Sequence, residues 1–173
     1  MQMIPNSCFI DTESSNFSPL SGRLIVIGLK DAINKDSYVF HDDEENILIK
    51  SFLEFYNEKE YTTMIGYNLK HDTRYIFAKC LKYKIPAGRF FQSTQIDLME
   101  YMKGNAFNRP GKFQEWMTSL GRPSPRHPSI RDLYNQGKLD AIIDHNERDL
   151  ESLDILWNRI NLVLNKTIEG GAQ

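Results

Sequence analysis

Hydrophobic and polar positions divide the chain into short segments with two different periods. Cys8 to Asp11 and Arg23 to Leu29 read as β-strands, the second an unbroken apolar run of the kind buried on both faces of a sheet. The polar stretch Ser14 to Gly22 between them reads as a long hairpin loop, and Tyr38 to His41 as a third, shorter strand. Asp42, Asp43, Glu44 and Glu45 precede an apolar stripe at helical spacing, Ile47, Leu48, Phe52 and Phe55. The acidic run therefore reads as a solvated helix start, where negative side chains offset the positive end of the helix dipole. Thr63 to Tyr67 is a strand, followed by a helix over Asn68 to Lys84 with Ile76, Phe77, Cys80 and Leu81 in helical register. Phe90 to Ile96 reads as a fifth strand, and Asp97 to Lys103 and Lys112 to Leu120 as short helices, the latter stopped by Gly121 and Pro123. Gly121 to Ser129 is the clearest loop. Helical spacing returns at Ile130, breaks near Asn135 to Lys138, and resumes from Leu139 to about Leu164 through Ile142, Ile143, Leu150, Leu153, Leu156 and Ile160. Strands and helices in this order predict an α/β domain on a mixed sheet.

Composition adds bounds. At 173 residues, 40% hydrophobic and 25% charged, the chain suits one domain over 1–173, with a core from about 7 to 165 and a frayed tail over 166–173. A formal charge of -2 does not advertise nucleic-acid binding, so any basic surface must be local. Cys8 and Cys80 lack metal-binding spacing and read as buried free thiols in a reducing interior. The amino terminus lacks the pattern of a signal peptide, and the longest aliphatic run, Leu24 to Ile27, is far too short to cross a bilayer. The expectation is an intracellular protein, in the cytoplasm, with no membrane partner.

Four carboxylates change the picture. Asp11 and Glu13, in Phe-Ile-Asp-Thr-Glu-Ser, stand two apart on a strand, so their side chains leave one face together. Alone they are either a metal grip or a solvated strand end. Asp72, in Ile-Gly-Tyr-Asn-Leu-Lys-His-Asp, follows a strand and opens a helix, where an acid also needs no role beyond offsetting the dipole. Asn68 either caps that helix or holds backbone near the site. Asp149 and His145 are four apart on the last helix and share a face. An imidazole, with its ordinary pKa of about 6.5, suits proton transfer beside a metal, although such pairs are also common on helix surfaces. Hard divalent cations take oxygen ligands, and a pair of them can activate water and stabilise the leaving oxygen of a phosphodiester. Together the acids read as the site of a metal-dependent nuclease.

These motifs resemble the DEDD, or DnaQ-like, family of 3'-to-5' exonucleases. Asp-Thr-Glu after the first strand, Asn68 four before Asp72, and His145 four before Asp149 match its three motifs in order, over about Phe9 to Leu164. The resemblance implies a ribonuclease H-like fold, a mixed five-stranded sheet flanked by helices. It also implies two divalent cations, Mg or Mn. Asp11 would bridge both, Glu13 and Asp149 would hold the one that binds the attacking water, and Asp72 would orient the water ligands of the second. His145 would position or deprotonate the nucleophile, although its spacing belongs to the branch that carries tyrosine there. Asp144 occupies the position of the other branch's histidine, and His71 stands where the family usually has an apolar or aromatic residue. Expected substrates are single-stranded nucleic acid 3' ends, met by Thr12, Ser14 and Ser15, with Phe17 either stacking on a base or packing its loop. Two basic clusters are available for phosphates: Lys79, Lys82, Lys84 and Arg89, which also fits a solvated helix side, and the favoured Arg122, Arg126, His127 and Arg131. The leading expectation is a 3'-to-5' exonuclease on single-stranded DNA or exposed 3' ends, in repair or replication. A 3'-end-trimming exoribonuclease and a non-catalytic nuclease-like binding or scaffold subunit are the alternatives.

Overall fold

The computed structural model describes residues 4–103, 112–122 and 128–169, with side chains to Leu164 in the last helix. Its strands are β1 (Ser7–Ser14), β2 (Leu24–Asp31), β3 (Ser37–Phe40), β4 (Thr63–Gly66) and β5 (Thr94–Asp97), in one sheet of order β3-β2-β1-β4-β5. β1, β2 and β3 form an antiparallel meander, while β4 runs parallel to β1 and β5 parallel to β4. The helices are α1 (Glu45–Glu58), α2 (Leu69–Tyr83), α3 (Gly88–Gln92), α4 (Leu98–Lys103), α5 (Phe113–Ser119), α6 (Ile130–Asn135) and α7 (Leu139–Glu169). This is the mixed five-stranded sheet expected of a ribonuclease H-like domain. Among the described residues no helix is long and apolar enough to cross a membrane.

Alternation along β1 sets the layers. Cys8 and Ile10 join a core with Leu48, Phe52 and Tyr56 of α1 and Leu69 and Ile76 of α2. Phe9 points the other way, into a core with Ile65 and with Leu150, Leu153 and Leu156 of α7. Asp11 and Glu13 continue the Phe9 face, so the strand turns from apolar to acidic beneath α7 without changing direction.

Several boundaries differ from the sequence reading. β1 does not stop at Asp11, because β2 keeps pairing through Thr12↔Ile27 and Glu13↔Val26. Phe90 is helical rather than the start of β5. Its ring is fully buried, 5.5 Å from Phe52 and 5.1 Å from Tyr56, and an apolar run this short fits either period. α7 extends to Glu169, beyond the predicted end near Leu164 and into the expected tail, since no Gly or Pro intervenes before Gly170. Both cysteines are buried free thiols.

Glu45 and Lys79 correct two further expectations. Glu45 is not part of a solvated helix start, and Lys79 is not on the solvated side of α2: they are 7% and 2% exposed. Their side chains lie 3.1 Å apart, Glu45 Oε1 accepts the Leu24 N–H at 2.7 Å, and the Tyr83 hydroxyl donates to Oε2 at 2.6 Å. Burial alone would raise the Glu45 pKa, but the bonds from Tyr83, Leu24 and Lys79 outweigh it and hold the carboxyl below its ordinary value. Lys79 also donates to the Gly22 carbonyl, and the Tyr75 hydroxyl to the Asn16 carbonyl at 3.0 Å. The hairpin loop is thereby tied to α1 and α2. Gly22 permits the approach, since a Cβ there would stand 1.9 Å from the Tyr75 oxygen. Lys79→Met should cost about 3 kcal/mol, because it strands a buried carboxylate. In a domain of this size that lowers the melting temperature by roughly 6–12 °C. Lys82, 3.5 Å from Glu45 but 57% exposed, should tolerate the same change with an unaltered melting temperature.

Candidate functional site

Three elements meet at the end of the sheet. β1 supplies Asp11 and Glu13, the first turn of α2 supplies Asp72, and α7 supplies His145 and Asp149. His145 Nε2 lies 3.7 Å from Glu13 Oε1 and 3.6 Å from Asp149 Oδ2. Thr12, on the opposite face of β1 from Asp11, reaches Asp72: its N–H and hydroxyl donate to Oδ1 at 3.1 and 2.6 Å. Asn146, beside His145 on α7, donates to Asp11 Oδ2 at 2.8 Å and to the Asp11 carbonyl at 3.2 Å.

Charge is expensive here. Burial, then repulsion from Glu13, Asp72 and Asp149, holds the Asp11 carboxyl well above the ordinary carboxylate range. Glu13 is raised by burial and by Asp149 and Asp72. Burial pushes Asp72 to about 7 despite the bonds from Thr12. Burial, with Arg148 behind it, lowers the His145 pKa, so the imidazole is neutral at neutral pH even between two carboxyl groups. The geometry fits a divalent cation. One ligand atom each from Glu13, His145 and Asp149 lie within 4.8 Å of one another, and a cation would offset both the burial and the repulsion that raise Glu13. Carboxylate oxygens suit both Mg and Mn.

An open cavity of about 350 Å³ adjoins Glu13. Thr12, Ser14 and Ser15 line one wall, and Arg131, from the second basic cluster, lines the other. Phe17 does not pack its loop. It is 90% exposed at the cavity, its ring 6.2 Å from the half-buried His71. Asn68 and Arg122 are exposed and do not line this cavity, while Arg126 and His127 lie outside the described residues. Asn68 makes no side-chain cap on α2. Its backbone is left-handed, φ 58°, and its N–H donates to Asp97 Oδ1 at 2.8 Å.

Three contributors escaped the sequence reading. Asp97, read there as a helix start, ends β5 and pins the turn into α2. Asn146 is hidden in the polar run Asp-His-Asn-Glu-Arg-Asp, where nothing marks it out. Gly28 did leave a signal: a glycine inside an aliphatic strand marks a close approach by another group.

The fold is shared with a family B DNA polymerase from the hyperthermophilic archaeon Pyrobaculum calidifontis, at a TM-score of 0.75 and 14% identity, over 90% of this chain and 24% of the polymerase. The chain thus spans about a quarter of the length of the polymerase it matches. Among curated proteins none matches the chain. The family model described as the RNase_H superfamily matches residues 8–121, from β1 through α5 and including Asp11, Glu13 and Asp72, and the chain belongs to that superfamily.

Proposed function

We propose that this protein is a metal-dependent 3'-to-5' exonuclease acting on single-stranded DNA or exposed 3' ends. The observation that carries the reading is the convergence of four acids and a neutral imidazole beside an open cavity. Bound divalent cations would supply an activated water and charge stabilisation at the leaving oxygen. Asp11, Glu13, Asp72 and Asp149 would hold them. Thr12 occupies Oδ1 of Asp72, which leaves Oδ2 for that task. His145 Nε2 is the base that takes the proton from the attacking water, its lowered pKa keeping it free to accept.

Around the cavity, Thr12, Ser14 and Ser15 offer hydroxyl and backbone groups to the terminal nucleotide, and Arg131 offers a phosphate contact. Phe17 offers an exposed ring for a base, which predicts that Phe17→Ala raises KM by roughly 5- to 160-fold, the equivalent of about 1–3 kcal/mol of stacking, with an unchanged melting temperature. Titration of the rate against oligonucleotide concentration checks this.

Single-stranded DNA and RNA, labelled at either end, should be incubated with Mg, Mn or EDTA. Stepwise shortening from the 3' end of DNA that EDTA abolishes supports the proposal. A preference for RNA would reassign the substrate to 3'-end-trimming of RNA, and no cleavage in any metal would refute the enzyme altogether. His145→Ala isolates the base: a rate within about twofold of wild type removes it from the mechanism.

A further inference from the structure

We propose that Asn146 is the positioning residue for Asp11, seated in a slot that only glycine at position 28 leaves open, and that it sets the protein's affinity for divalent cations. The inference rests on the reading of Asp11 as a metal ligand. Asn146 is fully buried and grips Asp11 twice, through the carboxylate and through the main-chain carbonyl of the same residue. One amide group thus ties the rotamer of Asp11 to its own backbone. The other end of the amide explains Gly28. Asn146 Oδ1 is buried without a hydrogen-bond partner, and it lies 1.8 Å from where a Cβ on Gly28 would stand. Gly28 is also the residue paired with Asp11 across β1 and β2. The strand beside Asp11 has therefore given up its side chain at the one place where the carboxamide enters.

The amide has a single workable orientation. Turned over, its carbonyl oxygen would face both Asp11 oxygens, acceptor against acceptor. In the observed orientation Nδ2 takes up Oδ2 of Asp11 and leaves the second carboxylate oxygen to other partners. A buried acceptor with no partner is disfavoured by itself, and a well-packed apolar side chain would avoid it. The specific gain in return is the fixed carboxylate. Groups that orient a metal ligand through a hydrogen bond typically change metal affinity by about 10- to 100-fold when removed.

The test is Mn(II) affinity of the folded protein, measured by calorimetry or by loss of the free-ion paramagnetic resonance signal, for wild type, Asn146→Ala, Gly28→Ala and the double variant. The melting temperature in EDTA is followed alongside as a check on folding. Asn146→Ala and Gly28→Ala should each weaken Mn(II) binding by roughly 10- to 100-fold. The double variant should bind no worse than Asn146→Ala alone, since the shortened side chain vacates most of the space into which the new Cβ projects, and the remaining neighbour, Leu150 Cδ1 at 2.9 Å, is the end of a side chain that can turn into the vacated volume. It also keeps the proposal testable if Gly28→Ala alone does not fold. Affinity within about twofold of wild type in any folded variant lacking the Asn146 amide overturns the inference, as do additive losses in the double variant. Wild-type protein that binds no Mn(II) would refute the metal site itself. Normal wild-type binding with an indifferent Asn146→Ala would remove only the role of Asn146.

Discussion

Asp11→Asn is expected to lower the nuclease rate in Mg by about a thousandfold or more while leaving the protein folded. The two side chains have the same shape, and the asparagine can still present an oxygen to Asn146 Nδ2, the bond that Asp11 makes at 2.8 Å. The loss is a full negative charge at the centre of the acid cluster. If metal-assisted stabilisation of the transition state through this ligand is worth about 4 kcal/mol, the rate falls by about 10³, at 1.36 kcal/mol per tenfold. The measurement is single-turnover cleavage of labelled single-stranded DNA, normalised to folded protein. A rate within tenfold of wild type would show that the cleavage does not run through this site. Mn should not restore the rate, because the substitution removes a charge that either metal needs rather than altering a preference between metals.

The acids were legible because each sits where a local period places it. Phe9, Asp11 and Glu13 share one face of a strand by alternation alone, and His145 and Asp149 share one face of a helix by their spacing of four. What brings them together is the fold. Four of its strands were also readable as apolar runs between turn residues, whereas β5, Thr94–Asp97, shares only Thr94 to Ile96 with the run that read as a strand. The errors lie where the deciding partner is distant in sequence. Glu45 looks like any acid in the first turn of a helix until Lys79 and Tyr83 arrive from α2, and the same pairing removes Lys79 from the basic surface. Phe90 has an aromatic preference for strands that its packing against Phe52 and Tyr56 overrides. Asn146 carries no local signal, since its partner is Asp11 at the other end of the chain. Gly28 did carry one, and its meaning becomes clear only when the Asn146 amide is seen in the space above it.

In the absence of metal the same cluster should make the protein less stable as pH rises. Asp72 has a folded pKa of about 7 against an ordinary 3.8. Between those values the native state keeps a proton that the unfolded chain has released, so stability falls with increasing pH and levels off above the folded pKa. The full difference is roughly 4 kcal/mol for Asp72, and the raised carboxyls of Asp11 and Glu13 act in the same direction. Glu45 opposes them: its pKa is lowered, so its contribution is present above its ordinary 4.5 and is lost as pH falls. His145 and His71, which burial lowers below their ordinary 6.5, oppose them too, adding stability as pH rises through that value, but the three raised carboxyls outweigh them. The metal-free protein should therefore be more stable on the acid side of neutrality than above it. Urea unfolding in EDTA between about pH 5 and 8 measures the slope. Asp72→Asn should flatten it and stabilise the metal-free protein at the alkaline end, since asparagine keeps an oxygen for the Thr12 donors without a buried charge. Mn should restore wild-type stability at about pH 8 and do less for Asp72→Asn, because a bound ligand stabilises as the logarithm of its free concentration over Kd, and the variant has the larger Kd. Metal-free stability that is flat or rises over this range, or an Asp72→Asn variant less stable than wild type at about pH 8, would refute the account of the cluster as carboxyls buried at a cost for a cation.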